Sequence, residues 1–342
     1  MTLPRLFCVL GLAVLLAAPA SFVRAAETVT IRIGTILPTG TPQHQLLLAM
    51  FEQWRKDSDG TVKVVLYPDG RLGGESEMVK KMRIKQLSGG ILTTVGLSEI
   101  DRGVAGLQMI PLGFRSWAEV DYVREKLRPM LEERLHAKGY EVLFWADAGW
   151  VRFFSKEAAI RPSDYQKMKL FAWSGDVQQA EMMRAAGYRP VPLETTDILL
   201  GLNTDMINAI PVPPIIALAG QFYGPAPHML DLNWSPIVGA TVVRSDVWDK
   251  IPAEIRAKLH ATADAAGAKI RAQSRQENDA AVKAMQARGL HVHQVTPEAA
   301  KEWDDFYQYM LPRVRGKLVP EDIFDAVQKY LAEVRANPGA TP

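Results

Sequence analysis

The residues of this chain best able to do chemistry are six histidines, a few adjacent acid pairs, two glycine doublets and one cysteine. The histidines are His44, His136, His228, His260, His291 and His293. His291 and His293 flank Val292 and would share one face of a strand, but a zinc site needs three or four ligands and no further partner is evident. No metal is therefore expected. Gly73-Gly74 and Gly89-Gly90 lack the spacing of a phosphate-cradling loop, and no Gly-x-Ser-x-Gly elbow is present. Asp304-Asp305 and Glu132-Glu133 fall in polar helical stretches, where such pairs are solvated faces before they are catalytic dyads. The lone Cys8 stands in the first residues of the chain. With no catalytic constellation and no cofactor motif, the expectation is a protein that binds rather than one that turns over a substrate.

The first residues carry Arg5, an apolar run from Leu6 to Ala18, and the small-residue pattern Val23-Arg24-Ala25-Ala26. This is the pattern of a secretory signal peptide over residues 1–26, cleaved after Ala25 or Ala26, and its apolar run is short for a spanning helix. Cleavage would remove Cys8, leaving no disulfide or thiol chemistry to the exported chain. It would also remove two of the 40 basic residues and none of the 38 acidic ones, so the exported protein is neutral. Neutrality argues against a nucleic-acid partner or a polybasic membrane surface. The remaining length of about 316 residues is that at which one core divides into two lobes.

Those lobes are expected to be α/β. Val29, Ile31 and Ile33 alternate with polar residues as in a strand, and Leu47, Met50, Phe51 and Trp54 recur at helical spacing. A second strand over 61–67 and a helix over 75–84 complete a β-α-β-α run, which implies a mainly parallel sheet. Further strands are expected over 91–95, 141–145, 151–154, 169–173, 190–193 and 237–243. From Ala253 to about Arg288 the chain is rich in helix formers with only Gly267 as a weak break. Such a helix would run roughly 50 Å and reach from one lobe to the other.

Several segments, in order, resemble the solute receptors of tripartite ATP-independent periplasmic (TRAP) transporters. They are Tyr67-Pro68-Asp69-Gly70-Arg71-Leu72-Gly73-Gly74-Glu75-Ser76-Glu77; Ile160-Arg161-Pro162-Ser163-Asp164 with Lys169-Leu170; Pro190-Val191-Pro192-Leu193 with Leu202-Asn203 and Pro211-Val212-Pro213; and Trp248 to Ile255. The resemblance implies a two-lobed periplasmic binding protein fold, with a small-molecule ligand enclosed in the interlobe cleft, a long helix spanning both lobes, and membrane permease subunits as partners of a monomer. It divides the chain into residues 27–148 with 238–278, and 149–237 with 279–338. A subset of the family is thought to work with a tetratricopeptide-repeat partner on apolar ligands, and that is the alternative to permease delivery.

The same resemblance implies an arginine that grips a ligand carboxylate from the strand over 169–173, where this chain has Phe171. A second arginine position falls on Val151 when counted from Gly149 without a gap. Arg152 is next to it and would enter the cleft only if a bulge re-aimed it. The usual asparagine and the acidic residue before it are Val212 and Pro211. Trp173 shares a strand face with Phe171, and Phe153 with Val151. Thr93 and Thr94 are expected from the first lobe, with Thr195 from the second, and Trp145 and Trp150 flank the crossing between lobes. An apolar, aromatic cleft with a few hydroxyls suits an uncharged or amphipathic ligand. Arg152 holding a carboxylate is the competing expectation, and core packing is the other use for these aromatic residues.

Overall fold

The structure is a computed structural model that describes residues 28–174, 176–337 and 339. The signal peptide expected over 1–26 lies outside these residues. The first lobe opens with β1 (Val29–Thr35), α1 (Pro42–Asp57), β2 (Val62–Tyr67), α2 (Glu75–Arg83), β3 (Gly89–Thr93), α3 (Thr94–Ile100), a 3-10 turn over Arg102–Leu107 and α4 (Trp117–Ala137). β4 (Tyr140–Ser155) then leads into α5 (Pro162–Gln166), β5 (Lys169–Trp173), α6 (Val177–Ala185), β6 (Arg189–Leu193), α7 (Ile198–Asn203), β7 (Ala209–Val212) and α8 (Pro214–Ala219). β8 (His228–Arg244) returns to the first lobe and is followed by α9 (Ser245–Trp248), α10 (Ala253–Gln286), β9 (His291–His293), α11 (Pro297–Val314) and α12 (Glu321–Ala336).

One sheet runs through both lobes in the order β2-β1-β3-β8-β4-β7-β5-β6, with β9 added beside β8. β1, β2 and β3 are parallel, as are β5, β6 and β7, while β4 and β8 are long antiparallel neighbours belonging to both groups. The pairings expected separately over 141–145 and 151–154 are thus two ends of one 16-residue strand. The interruption read from the sequence is real as a change of register, since the β4–β8 ladder shifts between Asp147 and Gly149. Likewise 237–243 is the far half of a 17-residue strand.

The long helix forms as a single α10 of 34 residues. Its buried Leu259, Ala263 and Ile270 pack with Ile31, Trp54 and Phe144 of the first lobe, while Met285 packs with Phe154 and Ile210 of the second. Gly267 does not break it. A Cβ there would lie 2.8 Å from Phe144, so the glycine lets α10 approach β4 closely. α12 contacts both groups of residues in the expected division into lobes. Ile323 and Val327 pack against Gly106 of the 3-10 turn, and Arg335 pairs with Glu119 of α4 at 2.9 Å. Residues 321–336 therefore pack on α4 and the 3-10 turn of the first lobe, while Asp325 pairs with Arg315 and Gln328 accepts from Tyr307 in the segment that precedes them.

Candidate functional site

In an open α/β sheet the crevice beyond the carboxyl ends of parallel strands is the usual ligand site. Here register places both sets of carboxyl ends toward the middle of the crossing strands. Thr93 at the end of β3 is opposite Gly239 of β8, and Val212 at the end of β7 is opposite Arg152 of β4. The two lobes accordingly present these ends to each other.

On the first lobe the end of β3 is tied up by a buried carboxylate. Glu75, the first residue of α2, accepts from the Thr93 N–H at 2.9 Å, the Thr93 hydroxyl at 2.8 Å and the Gly96 N–H at 2.8 Å. The Thr93 hydroxyl in turn accepts from the Val95 N–H and caps α3. That cap ends the strand at Thr93, where the sequence reading had carried it to Val95. Thr94 is fully buried and donates to the Val238 carbonyl at 2.9 Å. Both hydroxyls expected in the cleft thus have partners within the lobe.

On the second lobe β5 delivers Trp173, whose indole N–H donates to the exposed Thr195 hydroxyl at 3.2 Å. Its neighbour Phe171 is completely buried and meets Trp173 edge-on with ring centroids 5.0 Å apart. Asp176 caps α6 by accepting from the Gln179 N–H at 2.9 Å. Its second oxygen and the Gln179 side-chain oxygen are buried with no hydrogen-bond partner among the described residues. Burial pushes the Glu75 carboxyl above its ordinary range despite three hydrogen bonds, and the nearby charge of Asp176 raises it further. Burial does the same to Asp176, against a single N–H that lowers it. Sequence reading missed this pair. Glu75 stood only within the 67–77 motif, and Asp176 and Gln179 were not singled out.

The expected aromatic wall is divided. Phe171 and Val212 lie in one core cluster with Phe154, Ile198 and Leu202, with Trp173 packed at its margin. Val151, Phe153, Trp145 and Trp150 belong to another, in which Phe153 packs against Tyr165 and Trp234 at 4.5 and 5.1 Å. The alternation of β4 and β7 explains the division: Phe153 is opposite Pro211, whereas Val212 lies one residue on and faces the other way. Trp145 donates to Glu132 at 3.0 Å, and Trp150 lies tilted against Trp117 with ring centroids 4.8 Å apart. Arg152 does sit at an irregularity, between Val151 and Phe153 in the β4–β8 pairing. It forms an ion pair with Asp231 of β8 and lines a cavity of about 340 Å³ with Phe114, Asn233 and Trp303.

The crossing itself carries a buried charge network. Asp147 accepts from Arg275 of α10 at 2.5 Å, Arg275 forks onto Asp121 at 2.7 and 2.8 Å, and the buried Arg124 adds to Asp121 at 2.9 Å. Burial raises the Asp147 carboxyl although Arg275 and Arg124 oppose it. At Asp121 burial also acts upward, but the two guanidiniums prevail and hold it below its ordinary range. Two residues beyond Asp147 is Gly149, at φ +123°. Asn278 of α10 donates to the Ala148 carbonyl at 3.0 Å and accepts from the Ile215 N–H of α8 at 3.2 Å.

A family model described as bacterial extracellular solute-binding protein, family 7, matches residues 33–315. The chain belongs to that family. It is similar to the C4-dicarboxylate-binding periplasmic protein of Rhodobacter capsulatus, at 23% identity over 82% of this chain and 84% of the relative. It is likewise 23% identical to the 2,3-diketo-L-gulonate-binding periplasmic protein of Escherichia coli K12, over 88% and 92% of the two chains. Among solved structures a TRAP periplasmic solute-binding protein from Ochrobactrum anthropi superposes with a TM-score of 0.81 at 20% identity, covering 91% of this chain and 97% of that one. The family is one of TRAP solute receptors, which capture a small molecule for a membrane permease. Among the described residues no helix is long and apolar enough to cross a membrane. The relatives give a tetratricopeptide-repeat partner no support.

Proposed function

We propose that this receptor takes an uncharged or amphipathic ligand with an aromatic or apolar body and hydrogen-bond donors, and that it does not take the acids its relatives are named for. The observation that carries this reading is Phe171. At the strand position where the family resemblance implies a carboxylate-gripping arginine, a fully buried ring packs against Trp173. Arg152, the competing anchor, already has a carboxylate in Asp231. The oxygens of Asp176 and Gln179 at this end of β5, which have no partner among the described residues, are acceptors, and they would repel a carboxylate while welcoming an N–H or O–H. The protein is exported by the leader over 1–26, binds without turnover, and divides into lobes at 148/149 and 237/238, where the β4–β8 register shifts.

Matched pairs test the ligand class: sugar acids, C4-dicarboxylates and aromatic carboxylates beside their amides, esters or neutral parent compounds, screened by thermal shift on the exported protein. A ligand at 100 times its dissociation constant adds about 2.7 kcal/mol. The neutral member of a pair is expected to stabilise and its acid not to. Tight binding of a dicarboxylate that is lost in Arg152→Ala would overturn this reading and leave the family assignment intact.

A further inference from the structure

The two histidines that lacked a third partner in the sequence acquire one in the fold. β9 pairs in parallel with the first residues of β8, bringing His228 level with His291 and placing His293 two residues further along. Residues two apart on a strand, and residues level on neighbouring strands, share a face. The three imidazoles therefore gather on one side of the sheet margin. The His228 ring is stacked on His291 with centroids 5.4 Å apart and inclined to His293 at 5.1 Å. His228 Nδ1 and His293 Nε2 face each other at 2.9 Å. His291 is exposed and the other two are half-buried, so the cluster is open to solvent.

We propose that His228, His291 and His293 form a binding site for a divalent first-row transition metal of the zinc, nickel or copper class. A nitrogen–nitrogen contact of 2.9 Å requires one ring to donate its proton to the lone pair of the other. A metal ion replaces that shared proton. Two imidazoles bound tetrahedrally at 2.0–2.1 Å stand about 3.3 Å apart, so the pair opens by only a few tenths of an ångström to admit one. As placed, no group of three or more His, Cys, Asp or Glu side chains among the described residues is arranged to hold a metal ion, these three histidines included. His291 completes the set by turning about its side-chain torsions from its stack on His228, a movement its exposure leaves free. Three imidazoles suit zinc, copper or nickel, disfavour calcium and magnesium, and leave a fourth position for water. The ion would fasten β9, the single short strand between α10 and α11, onto β8.

The test uses untagged exported protein. Calorimetry with zinc or nickel is expected to give one equivalent bound, and Cu(II) electron paramagnetic resonance of the same protein is expected to show three nitrogen ligands. His291→Asn, a change at an exposed position, should weaken binding at least tenfold, and His228→Asn or His293→Asn should do so more strongly. His44→Asn and His260→Asn should leave it unchanged. The proposal is overturned if wild type binds these ions no more tightly than the His228→Asn/His291→Asn/His293→Asn protein. It is also overturned if the copper spectrum shows a single nitrogen, which would leave the cluster as a proton-sharing pair only.

Discussion

β4 passes through two buried environments on either side of Gly149, and they are built on opposite principles. Toward the first lobe Asp147 is held by Arg275 and Arg124, guanidiniums that it shares with Asp121 in one network of charges. Toward the second lobe Phe153 lies among Tyr165, Trp234 and Trp303 at centroid distances of 4.5–6.2 Å, a contact of rings that needs no exact partner. Apolar packing tolerates small shifts of shape, whereas a buried ion that loses its counter-ion keeps the desolvation cost with nothing to offset it. The side of the crossing held to α10 by charge is therefore the one that fixes where β4 lies against the long helix.

The largest effect should come from Arg275. Arg275→Met leaves Asp147 buried with only Arg124, 3.9 Å away, and should cost about 3–5 kcal/mol in urea unfolding. Adding Asp147→Asn to the same protein should recover part of that loss. If the double variant is no more stable than Arg275→Met, the charge on Asp147 is not what makes the single change costly.

Next in size is the joint between the two environments. A Cβ at Gly149 would lie 2.5–2.6 Å from the Asn278 side chain, on a backbone at φ +123°. Backbone strain of this kind costs about 1–3 kcal/mol, and displacing Asn278 from its bonds to Ala148 and Ile215 adds about 1 kcal/mol. Gly149→Ala should fall within the sum of these, and Asn278→Ala in the same chain should relieve the clash while leaving the strain. An additive double variant would show that Asn278 does not press on the joint.

Much of this molecule was legible from its sequence where the determinants are local. The strand over 169–173 and the 34-residue helix have their expected extents because alternation and helix formers specify them residue by residue. Thr93 reads from the sequence as lying inside a strand that runs to Val95, and its role as a cap is hidden because its partner Glu75 lies 18 residues away. The failures are long-range in the same sense. The strands expected over 141–145 and 151–154 are one strand whose Asp147 has its counter-ion 128 residues away, and α12 packs on α4, which precedes it by about two hundred residues. Three residues expected to line one cleft wall, Phe171, Val151 and Phe153, are buried in two separate core clusters, since a sheet covered on both faces gives alternate residues different neighbours. His228 lay outside every expected strand, so its meeting with His293 had no local signal.

The smallest expected effect concerns the acceptors at the end of β5. Asp176 and Gln179 place two oxygens without a hydrogen-bond partner among the described residues at one helix start, and as placed both are acceptors while Asp176 is ionised. Asp176→Asn keeps an N-cap oxygen for the Gln179 N–H and supplies an N–H for the other acceptor, so it should stabilise the protein by on the order of 1 kcal/mol at neutral pH. The sign of the pH dependence follows from burial, which holds this carboxyl above its unfolded value. Below the unfolded value Asp176 is protonated in both states and costs nothing extra. As pH rises through the raised folded value, the native state must ionise a buried group and wild type loses stability that the asparagine variant keeps. The gap in urea midpoint between the two proteins should therefore widen from pH 4 to pH 7.5. A gap that is constant or narrows would mean that Asp176 is ionised at little cost in the folded protein, and that the end of β5 is less sheltered from water than its burial indicates.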